Sequence, residues 1–256
     1  MTIINNLDSL DSLKHRAHAL GLCGLIARWE SVANEPWLPA VLGYEEQERQ
    51  KRSLERRKKN AKLGAFKPIV DFNWSWPSEI DRELIEQLFS LDFINEAANI
   101  IIIGENGTGK TMIAKNLAHH AVINGHSALF ISASELLNDL AAQQTGSSLT
   151  RRLRHYCQPH VLVIDELGYL ASSSEHADLL FELVTRRYQH KPIVLTSNKI
   201  FTNWSEVFPN SSCVVALVDR LIHKAEVVKI NAESYRLKDA RERGEARNAK
   251  KSGRKH

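Results

Sequence analysis

The order of apolar and polar positions divides the chain into a helical part and a mixed part. Apolar residues recur at helix-like intervals from Leu7 to about Arg28, and a second helix is predicted from about Tyr44 to Lys62. Farther along, helical patterns alternate with short β-branched runs, which are Asn99 to Ile103, Ala128 to Ser132, Val161 to Ile164, Ile193 to Ser197 and Val227 to Ile230. Such alternation is typical of a parallel sheet covered by helices. The sequence therefore predicts a helical N-terminal region over 1–67, an α/β domain over 68–240, and a basic tail over 241–256 for which partial disorder is one interpretation.

Composition and hydropathy narrow the function classes. The 256 residues suffice for one sizeable core plus a smaller region. No apolar stretch reaches the ~18 residues that cross a bilayer, and the N-terminus lacks a signal-peptide pattern, so we expect a cytoplasmic protein with no membrane partner. The three cysteines lack the spacing of a metal site and are interpreted as reduced structural thiols.

The strongest chemical signal is a glycine-rich segment directly after the first predicted strand. Gly104-Glu105-Asn106-Gly107-Thr108-Gly109-Lys110-Thr111 has the complete G-x-x-x-x-G-K-[ST] pattern and opens a helical segment. Its glycines let successive backbone N–H groups face phosphate oxygens at a helix N-terminus, which itself favours anions. We expect Lys110 to reach the β- and γ-phosphates of ATP and the Thr111 hydroxyl to coordinate Mg²⁺. An ordinary glycine-rich turn is the alternative, which the complete pattern disfavours.

Two carboxylates follow the strand predicted at Val161 to Ile164. Asp165 is placed to hold the water shell of Mg²⁺, and Glu166 is suited to polarise the water that attacks the γ-phosphate. A pair of solvated loop acids is the alternative, which the upstream P-loop disfavours. Asn198 ends another predicted strand and could hold the same water, because ligands of α/β sheets bind at this edge. Taken alone, Thr196-Ser197-Asn198 is more typical of a helix cap or a turn.

Further blocks of sequence give the chain a family resemblance. From about Leu20 to Lys238 it resembles the IstB-type ATPases, which are helper proteins encoded beside the transposase in one class of bacterial insertion sequences. That family belongs to the AAA+ ATPases and is similar to the bacterial replicative-helicase loaders. Besides the nucleotide motifs, the matching blocks are Asp165-Glu166-Leu167-Gly168-Tyr169-Leu170, Arg187-Tyr188, Thr196-Ser197-Asn198, Asp219-Arg220-Leu221-Ile222-His223 and Glu233-Ser234-Tyr235-Arg236. One departure is Glu105-Asn106, where small or proline residues are common.

The resemblance implies a five-stranded parallel sheet in which the Asn198 strand lies between the P-loop strand and the Asp165 strand. It implies a lid of helices after the sheet, with Arg236 contacting the nucleotide of its own subunit. It also implies that Arg220 is an arginine finger given to a neighbour in a homo-oligomer whose nucleotide sites lie at subunit interfaces. From the residues alone, a surface ion pair explains Arg220 more readily.

Basic residues crowd two internal segments, although the net charge is only +4. The resemblance implies that ATP-bound oligomers bind double-stranded DNA and that a transposase encoded by the same element recognises the complex. The candidate DNA contacts are Arg49, Lys51, Arg52, Arg56, Arg57, Lys58, Lys59, Arg151, Arg152 and Arg154. Glu48 and Glu55 interrupt the first segment, so a solvated amphipathic helix explains it equally well, and the later arginines could instead pair with acids. Without a helix-turn-helix or zinc-finger pattern, we expect phosphate-directed binding.

Two other functions remain open at this point. A replicative helicase loader would share the motor but act on a helicase and single-stranded DNA. An architectural DNA binder would hold a nucleotide without turning it over, although Glu166 and the matched Arg220 argue against that interpretation.

Overall fold

The computed structural model describes residues 9–168, 174–208 and 212–252. Tyr169 and Leu170 of the matching blocks, and the last four residues of the basic tail, lie outside these ranges. The described residues form two compact units, and the boundary between them falls between Arg56 and Arg57. The domain limits at residues 67 and 240 stay a prediction.

Helices make up the first unit. The structure has α1 (Leu10–Ala19), α2 (Cys23–Ala27), α3 (Trp29–Val32) and the long α4 (Leu38–Ala61), which continues beyond the unit. The Ser9 hydroxyl caps α1 by accepting the backbone N–H of Ser12 at 3.2 Å. Gly21, with a φ of +60°, follows the end of α1. The apolar pattern up to Arg28 is therefore split among shorter helices.

A small apolar cluster holds this unit together. Leu13, Ala17 and Leu20 pack against Leu38 and Leu42 of α4. α4 begins well before the start predicted near Tyr44, because its proline falls in the first turn, where it disrupts no helical hydrogen bond.

The second unit is built on a six-stranded sheet with the order β1-β6-β2-β5-β4-β3. Its strands are β1 (Glu79–Ile80), β2 (Asn99–Gly104), β3 (Ala128–Ser132), β4 (Val161–Leu167), β5 (Ile193–Ser197) and β6 (Ala225–Asn231). Strands β2 to β6 pair in parallel, and β1 pairs with β6 in the antiparallel sense. The predicted α/β class and the place of the Asn198 strand between its two neighbours are confirmed. The count of five needs correction, because a two-residue edge strand is too short to leave a periodic signal.

Helices connect the strands of the second unit or follow the last strand. They are α5 (Arg82–Leu88), α6 (Asp92–Asn95), α7 (Lys110–Ile123), α8 (Ala133–Ala141), α9 (Gly146–Cys157), α10 (Ser174–Arg187), α11 (Trp204–Val207), α12 (Val214–Ile222) and α13 (Tyr235–Ser252), with 3-10 turns at Ile69–Asp71 and Phe201–Asn203. The described part of the basic tail belongs to α13, which runs to Ser252. None of the helices in the described ranges combines the length and apolar character that a bilayer crossing requires.

Two buried polar side chains form hydrogen bonds that hold neighbouring strands together at their N-terminal ends. Asn99 accepts the backbone N–H of Ile193 at 2.8 Å and donates to the Leu221 carbonyl at 2.9 Å. Arg187 is 1% exposed and donates to four main-chain carbonyls, those of Tyr156, Pro159, His160 and Pro192. Burial lowers the pKa of Arg187 to about 10. These bonds hold the starts of β4 and β5 together, whereas Asp165 and Glu166 lie near the other end of β4.

Candidate nucleotide-binding site

The glycine-rich loop connects the end of β2 to the start of α7. Gly107 and Gly109 have φ values of +80° and +101°, a region that other residues rarely adopt. A Cβ on Gly109 would lie 2.5 Å from the Phe72 ring, so the loop also needs glycine there for space. The N-terminus of α7 therefore stays open, and its backbone N–H groups are available to an anion.

Lys110 is folded back into the loop. Its ammonium group donates to the carbonyl oxygens of Gly104 and Glu105 at 2.7 and 2.8 Å. Burial lowers the pKa of Lys110, while the negative charges of Asp165 and Glu105 oppose that shift. Within the described ranges this buried cation bonds only to neutral carbonyls, so it is poised to exchange them for a stronger anionic partner.

Asp165 and Thr111 meet as the sequence predicts. The Thr111 hydroxyl lies 3.1 Å from each carboxylate oxygen of Asp165. Asp165 is buried, and its Oδ1 also accepts the Thr196 hydroxyl at 2.5 Å. Sequence reasoning assigned no role to Thr196, because a threonine within an apolar strand is ordinary.

Glu166 and Asn198 line one cavity. Glu166 is exposed and has a φ of +62°, which turns its side chain away from the buried Asp165. Asn198 directly follows β5, and its Oδ1 is buried without a hydrogen-bond partner among the described residues. An unpaired buried acceptor is costly, so Asn198 suits a donor that arrives with a ligand.

The cavity has a volume of about 570 Å³. One wall is the loop from Asn106 to Met112, and Glu166, Asn198, Tyr235 and Arg236 extend it. A second wall mixes aromatic and polar side chains and comprises Ala65, Phe66, Lys67, Asp71, Phe72, Asn73 and Trp76. The volume of the cavity, with a polar loop on one wall and aromatic side chains on the other, suits a small molecule with one polar and one apolar end.

Sequence reasoning missed the second wall. Asn116 of α7 holds it by donating to the Lys67 carbonyl and accepting the Ile69 N–H, both at 2.9 Å. Trp76 is fixed by a 2.9 Å bond from its indole N–H to the Glu233 carbonyl. The aromatic residues of this irregular stretch were the only signal, and aromaticity does not specify which loop they face.

The two arginines that the resemblance singles out lie in different places. Arg236 lines the cavity. Arg220 does not; on α12, it donates to the Thr185 hydroxyl and its guanidinium lies 4.4 Å from the centre of the Phe181 ring. Among the described residues Arg220 forms no ion pair, so a surface ion pair, the alternative drawn from the sequence, does not explain its position.

Several candidate DNA contacts already have partners. Arg49 and Arg52 pair with Glu45 and Glu48 one turn earlier, at 2.6 and 2.9 Å. Arg152 pairs with Asp139, and Arg57 donates to the Val122 carbonyl at 3.1 Å. Burial acts to raise the pKa of Asp139, but the hydrogen bonds from Arg152 and Tyr156 together with the charge of Arg152 lower that pKa overall. The exposed members without a hydrogen bond or ion pair in the described chain are Lys51, Arg56, Lys59, Arg151 and Arg154; Lys58 is exposed but has a partner.

The model of the IstB-like ATP binding protein family matches residues 7–243. The chain belongs to this family. A Geobacillus stearothermophilus protein named for ATP binding in insertion sequence IS5376 is 35% identical over 233 residues, which is 88% of this chain and 93% of the relative. A Pseudomonas aeruginosa protein with a similar name from insertion sequence IS21 is 38% identical over 77% of this chain and 74% of its own length.

Solved structures agree on the fold. A crystal structure of DnaI has a TM-score of 0.53 and 19% identity, and the match covers 67% of this IstB-like chain and 90% of that one. The replication initiator DnaA bound to AMPPCP and single-stranded DNA has a TM-score of 0.52 and 18% identity, over 70% and 57% of the two chains. The IstB-like protein is therefore an ATP-binding member of the AAA+ fold.

Proposed function

We propose that this IstB-like protein binds and hydrolyses MgATP, and that its ATP-bound homo-oligomer binds duplex DNA and recruits or stimulates the transposase of its insertion sequence. The observation that carries the proposal is the meeting of the P-loop, Glu166, Asn198 and Arg236 around one cavity. Relatives named for ATP binding in insertion sequences support the cellular context.

The residues fit a triphosphate. Lys110 would exchange two carbonyl partners for β- and γ-phosphate oxygens, and the N-terminus of α7 would add backbone donors. The aromatic wall would accept the base, and Arg236 would offset negative charge from within the same chain.

The residues also fit Mg²⁺. Thr111 and the carboxylate of Asp165 are oxygen donors of the kind this ion prefers, and they lie 3.1 Å apart beside the loop. When bound, the ion neutralises charge on the β- and γ-phosphates.

Glu166 and Asn198 are suited to hold the attacking water. The carboxylate of Glu166 can take a proton from it, and the side-chain amide of Asn198, which lines the same cavity, can form a hydrogen bond with it. The water would then be oriented by two side chains from neighbouring parts of the sheet edge, which reduces the entropy lost on reaching the transition state.

The relatives favour transposition over helicase loading. Proteins 35% and 38% identical to this chain are named for insertion sequences, whereas the likeness to DnaI shows the fold alone. The position of Glu166 at the cavity also favours turnover over a purely architectural role for the nucleotide.

The proposal is tested with the purified full chain by ATP titration, phosphate release and duplex-DNA binding with and without ATP. We expect ATP binding, MgATP turnover and ATP-dependent DNA binding. Lys110→Ala should lose all three, since it removes the cation of the loop, whereas Lys229→Ala, at an exposed site outside the cavity, should lose none. Wild-type ATP affinity in Lys110→Ala would refute the nucleotide site, and DNA binding indifferent to ATP would refute the helper role.

A further inference from the structure

The pairing of β4 with β5 is interrupted beside the two acids. Ile164 pairs with Leu195, but the next pair is Leu167 with Ser197. Asp165 and Glu166 together therefore oppose the single residue Thr196, which is the arrangement of a β-bulge. Bulges re-aim side chains, and here one acid is buried while the next reaches the cavity.

The Thr196 side chain forms hydrogen bonds to both residues of the bulge. Its hydroxyl donates to Asp165 Oδ1 at 2.5 Å and accepts the backbone N–H of Glu166 at 2.9 Å. A carboxylate can only accept and an N–H can only donate, so the hydroxyl proton has one direction available. Thr196 is 0% exposed, so water does not compete for either bond.

One of these Thr196 bonds constrains Asp165 and the other constrains Glu166. Asp165 Oδ1 accepts from both the Thr196 and Thr111 hydroxyls, whereas Oδ2 accepts, among the described residues, from Thr111 only. This fixes the carboxylate orientation and leaves Oδ2 the more available oxygen. Glu166 has a left-handed backbone that persists only when its surroundings impose it, and the bond to Thr196 anchors its N–H.

We propose that Thr196 is a positioning residue that orients Asp165 toward Mg²⁺ and Glu166 toward the attacking water through one hydroxyl group. The inference rests on the proposed MgATP hydrolysis and adds a residue that contacts neither nucleotide nor water. Partners that orient metal-binding groups typically contribute about 10- to 100-fold to metal affinity or activity.

Two substitutions separate the hydroxyl from the shape of the side chain. Thr196→Val keeps the β-branched shape without the hydroxyl, and Thr196→Ser keeps the hydroxyl. For Thr196→Val we expect turnover to fall about 10- to 100-fold and the Mg²⁺ concentration that half-maximally supports ATP binding to rise by a similar factor. ATP affinity in EDTA should not change, because the P-loop is untouched. Thr196→Ser should keep both quantities within about threefold of the wild type.

The measurements distinguish this inference from the proposed function. A wild-type chain that binds MgATP without turnover would refute hydrolysis, while the Mg²⁺ titration of the two variants would still test Thr196. Wild-type Mg²⁺ dependence in Thr196→Val, or equal loss in Thr196→Ser, overturns the positioning role. If thermal melting shows Thr196→Val to be unfolded, Thr196→Cys replaces it, since a thiol is a weak donor. The same loss is then expected relative to Thr196→Ser, and its absence overturns the inference.

Discussion

The backbone N–H of Tyr235 donates to the carbonyl oxygen of Gly107 at 3.0 Å, which joins the start of α13 to the middle of the P-loop. Ser234 packs against the same glycine, so closely that a Cβ on Gly107 would meet the Ser234 hydroxyl. Arg236 follows Tyr235 directly and lines the same cavity as the loop. We infer that the phosphate-binding loop and the start of α13 respond to nucleotide together.

This contact predicts that Gly107→Ala weakens ATP binding. Gly125 provides a matched control, because its φ of +96° is also left-handed but nothing lies within 4 Å of a Cβ built there. Both variants should carry backbone strain of about 1 to 3 kcal/mol. Only Gly107→Ala should also lose ATP affinity, by about tenfold or more, since it alone displaces Ser234.

Isothermal titration with ATP checks the affinities, and urea unfolding checks the strain. Equal ATP affinities in Gly107→Ala and Gly125→Ala would show that the contact with Ser234 does not couple α13 to the loop.

The polar half of the site was predictable because its chemistry is local in sequence. The four isoleucines of β2 and the glycine pattern after them specify a buried strand, a turn and a helix within about thirteen residues. The acids after β4 follow the same logic, since a buried strand that ends in carboxylates places them at the ligand edge of a parallel sheet.

The remaining features depend on contacts between distant residues. Asn116 bonds to Lys67, which lies 49 positions earlier in the sequence. The Thr196 hydroxyl accepts the backbone N–H of Glu166, which lies 30 positions earlier. Neither hydrogen bond produces a periodic pattern of apolar and polar residues that the sequence could show. A bulge adds one residue to one strand, and its presence depends on the partner strand, which the sequence of β4 alone does not contain.

Glu166→Gln should bind MgATP and hydrolyse it at least about 10²-fold more slowly, because the amide keeps the shape of the side chain without its capacity to take a proton. A stable ATP-bound assembly on DNA should result. Glu226→Gln is the control, since it makes the same change in an exposed residue of β6 that does not line the cavity. Turnover and filter binding of labelled ATP measure the two effects, and wild-type turnover in Glu166→Gln would remove this residue from the reaction.

The unpaired arginines of α9 give the sharpest test of DNA binding. Arg151 and Arg154 are exposed and make no hydrogen bond or ion pair within the described ranges, whereas their neighbour Arg152 is held by Asp139. The double variant Arg151→Ala/Arg154→Ala should weaken binding to every duplex alike and reduce the slope of log affinity against log salt by about 2.

The control for this variant removes the same charge elsewhere. Arg82 and Arg186 are already paired with Glu86 and Glu182 at 2.6 Å, so Arg82→Ala/Arg186→Ala should leave the slope close to that of the wild type. Fluorescence anisotropy between about 50 and 200 mM salt provides the comparison. Equal slopes for the two double variants would exclude α9 from the phosphate contacts.

Arg220 lies outside the nucleotide cavity of its own chain, as the proposed action on another subunit requires. Its guanidinium is held by Thr185 and Phe181 of α10. Among the residues that the structure describes, no carboxylate pairs with the charge of this side chain. Such a position suits an arginine that reaches the γ-phosphate only after two subunits meet.

We therefore predict that Arg220→Ala binds ATP normally as an isolated subunit but hydrolyses it ~10³- to 10⁵-fold more slowly in the DNA-bound assembly, which is the usual contribution of an arginine finger. Mixing two inactive variants tests whether the arginine acts between subunits. Arg220→Ala retains a complete P-loop and Lys110→Ala retains the arginine, so some interfaces in a mixed oligomer unite a working site with a working finger. Phosphate release should then reappear from two preparations that lack it separately. Normal hydrolysis by Arg220→Ala alone, or no recovery in a mixture shown to assemble together on DNA, would contradict an arginine finger at this position.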